Sequence, residues 1–166
     1  MLDELLSLRM LLAVAIAAVA GWIRGVTGFG AAMVMTPPLS LMLGPQLAVP
    51  VTLMLETFAA APMLPAAARI AQWRTLAPIS VAAVAFVPVG AYMLATSEPD
   101  PLRRAIALIV IVFSLLLLSG ARYHGPQRVS TSVGLGSLSG TMLGATSIGA
   151  PPVILYLLAG PEPVHV

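Results

Sequence analysis

The chain has 166 residues, 59% of them hydrophobic and only 8% charged, with a mean hydropathy of +1.01, whereas a soluble domain carries roughly 25% charged residues. Those proportions exclude a water-soluble globule. The eight basic residues are all arginines, scattered from Arg9 to Arg128 against six acids, so the net charge of +2 does not describe a nucleic-acid surface, which groups its cations on one face. The absence of cysteine excludes a disulfide scaffold, a thiolate metal site and a cysteine nucleophile.

Charged residues leave the runs 10–23, 25–55, 57–68, 75–97, 105–121 and 129–161 uncharged, and a membrane-spanning helix needs roughly 20 apolar residues to cross about 30 Å of hydrocarbon. In chain order they define five hydrophobic units, about 8–43, 47–68, 76–96, 102–120 and 130–160. The expected fold is an all-α, polytopic transmembrane helix bundle of about five spans. An acidic start, Asp3-Glu4, and hydrophobic units that continue along the chain argue against a cleaved signal peptide.

The stretch 10–43 in the first unit holds 34 residues and would run about 50 Å as one straight helix. It is therefore broken, tilted or re-entrant. The sequence predicts the break at Gly25-Val26-Thr27-Gly28-Phe29-Gly30, with Pro37-Pro38 soon after, because glycine weakens a helix and the second proline cannot donate a backbone bond. Non-helical backbone at membrane depth is tolerated only where protein buries it or a wet cavity meets it, so the break marks a candidate site.

Four connectors join the units. The second carries Arg69 and Arg74, and the fourth Arg122 and Arg128, with no acid in either. By the positive-inside rule they lie in the cytoplasm, with the N-terminus on the same side if the first unit crosses once. The third carries Glu98 and Asp100, followed by Arg103 and Arg104. Trp22, Trp73, Tyr92 and Tyr123 are spaced like interfacial anchors.

The last unit repeats the first. Gly144-Ala145-Thr146-Ser147-Ile148-Gly149-Ala150 overlays Gly25-Val26-Thr27-Gly28-Phe29-Gly30-Ala31 at a constant offset of 119, and Gly140 overlays Gly21 at the same offset. The pattern implies a partial internal duplication, with 1–128 as a first four-span repeat and 129–166 as an incomplete second one. Only 47 residues follow position 119, which makes the chain read as a truncated member of a two-repeat family. Four spans per repeat would make the halves parallel, and a re-entrant first unit would invert them. Broken segments in corresponding places of two halves point to the binding site of a secondary transporter.

Gly25-x-Thr-Gly-Phe-Gly30 with Pro37-Pro38, and Gly144-x-Thr-x-x-Gly149 in the second half, resemble the TauE/SafE family of membrane permeases, the sulfite exporter-like group. The resemblance implies a protein of the bacterial inner (plasma) membrane, duplicated from a four-span unit, that moves sulfite, sulfonates or related small organic anions. The chain departs from its own first copy at Ser147, where that copy has Gly28.

The candidate substrate-binding residues are Thr27, Gly28, Phe29 and Gly30 in the first break, and Thr146, Ser147 and Gly149 in the second. Backbone N–H groups at half-helix ends, helped by hydroxyls, would replace the hydration of a small oxyanion. The competing reading for the glycines is close helix packing, which suits Gly21 with Gly25, and Gly136 with Gly140 and Gly144. Arg24 is an intramembrane cation and hence a functional candidate: either its guanidinium fork attracts the anion or it snorkels to an interface. Glu56 is either a proton carrier for coupling, a partner of Arg24, or a hydrogen-bonded acid joining two helices.

No cofactor, metal or enzymatic activity is expected. The chain has no lysine and so no nucleotide-binding Gly-x-x-x-x-Gly-Lys loop. His124 and His165 lack carboxylates at ligand spacing, and no histidine lies in a unit to act as base for Ser137, Ser139 or Ser147. The expectation is a secondary transporter working by alternating access around the two Gly-x-Thr-x-x-Gly breaks. Its partners would be a small anion and lipid, with a homo-oligomer left open. The alternative is a non-transporting membrane subunit, or a nonfunctional fragment, whose glycine motifs only pack helices.

Overall fold

Glycine or proline marks several helix boundaries in this computed structural model, which describes residues 8–120 and 129–157. They are α1 (Leu8–Thr27), α2 (Ala31–Leu43), α3 (Pro45–Ala60), a 3-10 turn (Ala61–Met63), α4 (Leu64–Ile70), α5 (Trp73–Thr96), α6 (Pro99–Leu118), α7 (Val129–Thr146) and α8 (Ala150–Leu157). Four stretches among the described residues are long and apolar enough to cross a membrane: Met10–Thr27, Pro45–Ile70, Trp73–Thr96 and Pro99–Leu118. Gly44, at φ 83°, divides α2 from α3, and Pro45 opens α3 at a position where a missing N–H costs no helical bond. Arg122, Tyr123, His124, Arg128, His165 and the end of the last unit lie outside the described residues.

The first unit neither continues straight nor crosses once. Ala20, Ala31, Met35 and Leu39 share a buried cluster against which Ala13, Ile16 and Ala17 pack. Residues early in α1 thus meet residues late in α2, which requires α2 to turn back along α1 at the predicted break. The second unit does the same: the Ser132 and Tyr156 hydroxyls bond at 2.9 Å, and Ser139 Oγ donates to Gly149 O at 2.5 Å. Both units are helix–break–helix hairpins.

Contacts between the helices also fix the hairpins' relative direction. The Ala32 N–H donates to Glu56, so α3 runs antiparallel to α2. Gln46 Nε2 donates to Ser97 O at 3.2 Å, which sets α5 antiparallel to α3. Gly136 lies against Ile79, Gly140 against Ala83 and Gly144 against Val87, so α7 runs parallel to α5. It follows that α1 and α7 point in opposite directions, and the two hairpins enter from opposite ends of the bundle. This is the inverted relation that a re-entrant first unit entails, and the even crossing count behind parallel halves does not apply. The condition attached to a cytoplasmic N-terminus also fails: α1 starts at the end of the bundle that holds Gly44 and Ser97, opposite the turn between Arg69 and Arg74.

In lipid, helices associate by van der Waals contact, and small residues permit the closest approach. The α5–α7 contact shows this. A Cβ added at Gly90, Gly136, Gly140 or Gly144 would collide with the backbone of the facing helix. The packing reading therefore holds for Gly136, Gly140 and Gly144. At Gly21 and Gly25 an added Cβ would meet nothing within 4 Å among the described residues. A second buried cluster, including Ala32, Val49, Leu94, Ile106 and Ile148, ties α2, α3, α5 and α6 to the second break.

Candidate functional site

Both breaks are built alike. In the first, Gly28 N donates to Arg24 O at 2.7 Å, and Thr27 Oγ1 lies 2.8 Å from Ile23 O and 2.7 Å from Phe29 O while accepting from Phe29 N at 3.4 Å. In the second, Ser147 N donates to Leu143 O at 2.9 Å, and Thr146 Oγ1 donates to Met142 O at 2.7 Å and accepts from Ile148 N at 3.3 Å. Apart from the Thr27–Phe29 carbonyl contact, each bond recurs at the offset of 119. The threonine ends each helix because its hydroxyl binds the carbonyl one turn back and the amide two residues on. Both threonine protons therefore go to main-chain carbonyls, and these side chains shape the breaks.

The residue after each threonine takes a left-handed conformation, at φ 78° for Gly28 and φ 58° for Ser147. Serine can occupy this region at a cost of about 1–2 kcal/mol. The sequence departure at Ser147 thus preserves the backbone path and adds a hydroxyl, which bonds Thr36 Oγ1 at 2.6 Å.

The tips of the two hairpins enclose a cavity of about 190 Å³. Arg24, Gly28, Phe29 and Gly30 reach it from the first hairpin, Ser147 from the second, and Glu56 from α3. Thr27, Thr146 and Gly149 are not among its lining residues. Gly149 instead packs behind the wall, against Ser139 and Leu143.

Arg24 and Glu56 carry the charge of this cavity. Arg24 Nη1 lies 3.2 Å from Glu56 Oε2, with the side chains 19% and 28% exposed. Glu56 Oε1 accepts from Ala32 N at 2.9 Å, and because Gly30 has no side chain to cap α2, the carboxylate supplies the negative charge that a helix N-terminus favours. Glu56 is the twelfth of the 26 residues from Pro45 to Ile70, near the middle of that span. Arg24 is held at the same height by its contact with Glu56.

Two residues escaped the sequence reading. Thr36 is fully buried and joins α2 to the second break. Thr52 is fully buried too, and its hydroxyl has no hydrogen-bond partner among the described residues. Thr52 lies four residues before Glu56, on the same helical face. Among the described residues, no three His, Asp or Glu side chains cluster as metal ligands would.

The model of the sulfite exporter TauE/SafE family matches residues 13–165, nearly the whole chain. The chain belongs to the sulfite exporter TauE/SafE family. TauE/SafE proteins are membrane transporters, and this member has four helices of spanning length and composition among its described residues, so it is an integral membrane protein of the sulfite exporter type. Comparison with curated proteins and with solved structures returned no match.

Proposed function

We propose that this TauE/SafE member moves a small anion, sulfite or an organosulfonate, by alternating access around the two breaks. The observation that carries the reading is that two broken hairpins of opposite direction meet at one mid-span cavity containing an arginine. That is the arrangement in which inverted-repeat transporters bind substrate. Arg24 supplies a charge-assisted contact to the anion, the backbone of Gly28, Phe29 and Gly30 and the Ser147 hydroxyl complete its shell, and Thr27, Thr146 and Gly149 hold the two breaks in shape. Glu56, the partner of Arg24, is the coupling group. The residues 1–128 form one repeat and 129–166 the start of an inverted second. In the bacterial inner membrane, the arginine-bearing Arg69–Arg74 end faces the cytoplasm and the start of α1 faces the opposite side.

The test is uptake of labelled sulfite and of methanesulfonate into vesicles containing the full-length protein. Arg24→Ala is expected to lower uptake about tenfold or more, since a hydrogen bond to a charged group is worth about 1.5–3 kcal/mol. Unchanged uptake in a folded, inserted Arg24→Ala protein would remove this site from transport.

A further inference from the structure

The cavity already holds an anion, and it belongs to the protein. Glu56 presents one carboxylate oxygen to the Arg24 guanidinium and the other to the Ala32 N–H at the start of α2. These are the donors an incoming oxyanion would use. Arg24 and Glu56 are the only charged residues among those lining the cavity, so the pair leaves it close to neutral. A substrate anion entering beside an ionised, still-bound Glu56 would meet a like charge in a small, poorly solvated space, where repulsion is strong.

The nearest unpaired hydroxyl on α3 lies behind the cavity wall. Thr52 lies one turn before Glu56 on α3, 0% exposed, with a hydroxyl that has no hydrogen-bond partner among the described residues. Helical side chains lean toward the N-terminus of their helix, so that of Glu56 leans over residue 52. A buried hydroxyl is rarely left unpaired, because its lost hydration is not repaid. Here it is a free donor within one helical turn of a carboxylate that has to move.

We infer that Glu56 is a tethered stand-in for the transported anion: its carboxylate occupies Arg24 and the Ala32 N–H until a substrate anion displaces it, and the Thr52 hydroxyl then receives it. The inference rests on the reading that Arg24 faces the substrate, and it adds that the empty and loaded states differ by an exchange of one anion for another. Thr52 acts through Glu56 and is a positioning residue.

The experiment is a titration of the full-length protein in detergent with methanesulfonate, whose charge does not change near neutral pH, read by thermal melting. If the tether fills the site about nine-tenths of the time, Glu56→Gln lowers the half-saturating concentration about tenfold. Adding Arg24→Ala to Glu56→Gln abolishes the response. Thr52→Val, which removes an unpaired buried hydroxyl, raises the melting temperature without ligand yet raises the half-saturating concentration, whereas a merely structural Thr52 would alter only the melting. If Glu56→Gln does not fold, Glu56→Asp keeps the charge on a shorter arm and shifts half-saturation in the same direction by less. Equal or weaker binding in the Glu56 variants, or unaltered binding in Thr52→Val, overturns the inference. Vesicle uptake separates the two claims: absent transport with intact displacement in detergent sinks only the transport reading, and intact transport with no gain in Glu56→Gln sinks only the tether.

Discussion

The two breaks share their sequence offset and nearly all of their internal hydrogen bonds, yet they sit in opposite surroundings. Thr27 and Gly28 are exposed, whereas Thr146, Ser147, Ile148 and Gly149 are buried. The difference comes from what lies beside the preceding helix. Gly140 and Gly144 are pressed against α5, while their counterparts Gly21 and Gly25 meet nothing within 4 Å of an added Cβ. A repeated motif thus specifies a backbone path, because glycine, threonine and the local bonds are the same. It does not specify burial, which depends on a neighbour the motif does not encode. The second break is the braced wall of the cavity, and the first is the less restrained one.

The sharpest way to break this comparison is to place one substitution in both copies. Gly144→Val is expected to drive the side chain into the α5 backbone and eliminate most folded, extractable protein, whereas Gly25→Val leaves the yield near wild type. Size-exclusion profiles in detergent read the difference, and equal loss in both variants would mean that α1 is as tightly covered as α7. Next in size is the loss of one charge beside the first break. Removing one partner of a fully buried pair costs about 3–5 kcal/mol, and less is expected here because both side chains are partly exposed. Arg24→Ala should lower the melting temperature more than Arg24→Ala combined with Glu56→Ala, and additivity in that double-mutant cycle would deny the coupling. The smallest effect concerns the left-handed residue. Gly28→Ser should cost about 1–2 kcal/mol, since the first break has no equivalent of the Thr36 contact, while Ser147→Gly should cost less, because relieved strain offsets most of the penalty of about 1–3 kcal/mol for leaving the buried Thr36 hydroxyl without this partner. Thermal melting of the two variants side by side tests the sign of each.

The helical units, the position of both breaks and the Arg24–Glu56 partnership were legible because they rest on local features: run length, glycine spacing, and charges too costly to leave alone in an apolar stretch. Direction was not legible. Three glycines in six residues permit the chain to bend by any angle, and hydropathy measures how long a segment is without saying which way it runs. Only contacts such as Ser132 with Tyr156 and Gln46 with Ser97 settle it. Thr36 and Thr52 stayed hidden for a different reason. A lone threonine in an apolar helix ordinarily bonds its own backbone, as Thr57 does with Leu53 O at 2.7 Å, so nothing in the letters distinguishes a hydroxyl that reaches across to another element or one that reaches nothing.

One face of α2 shows how events at the cavity could be felt elsewhere. At successive turns, Ala32 N is bonded by Glu56 of α3, Thr36 Oγ1 by Ser147 of the second break, and Ser40 O by Arg103 Nε of α6 at 3.1 Å. Two adjacent prolines, Pro37 and Pro38, remove two rungs from the helix's own ladder between the last two of these attachments. α2 is therefore a short tie-rod pinned at three points to three different parts of the molecule and only loosely braced from within. The three pins thus connect the cavity, the second break and the bundle end where the chain turns from α5 into α6.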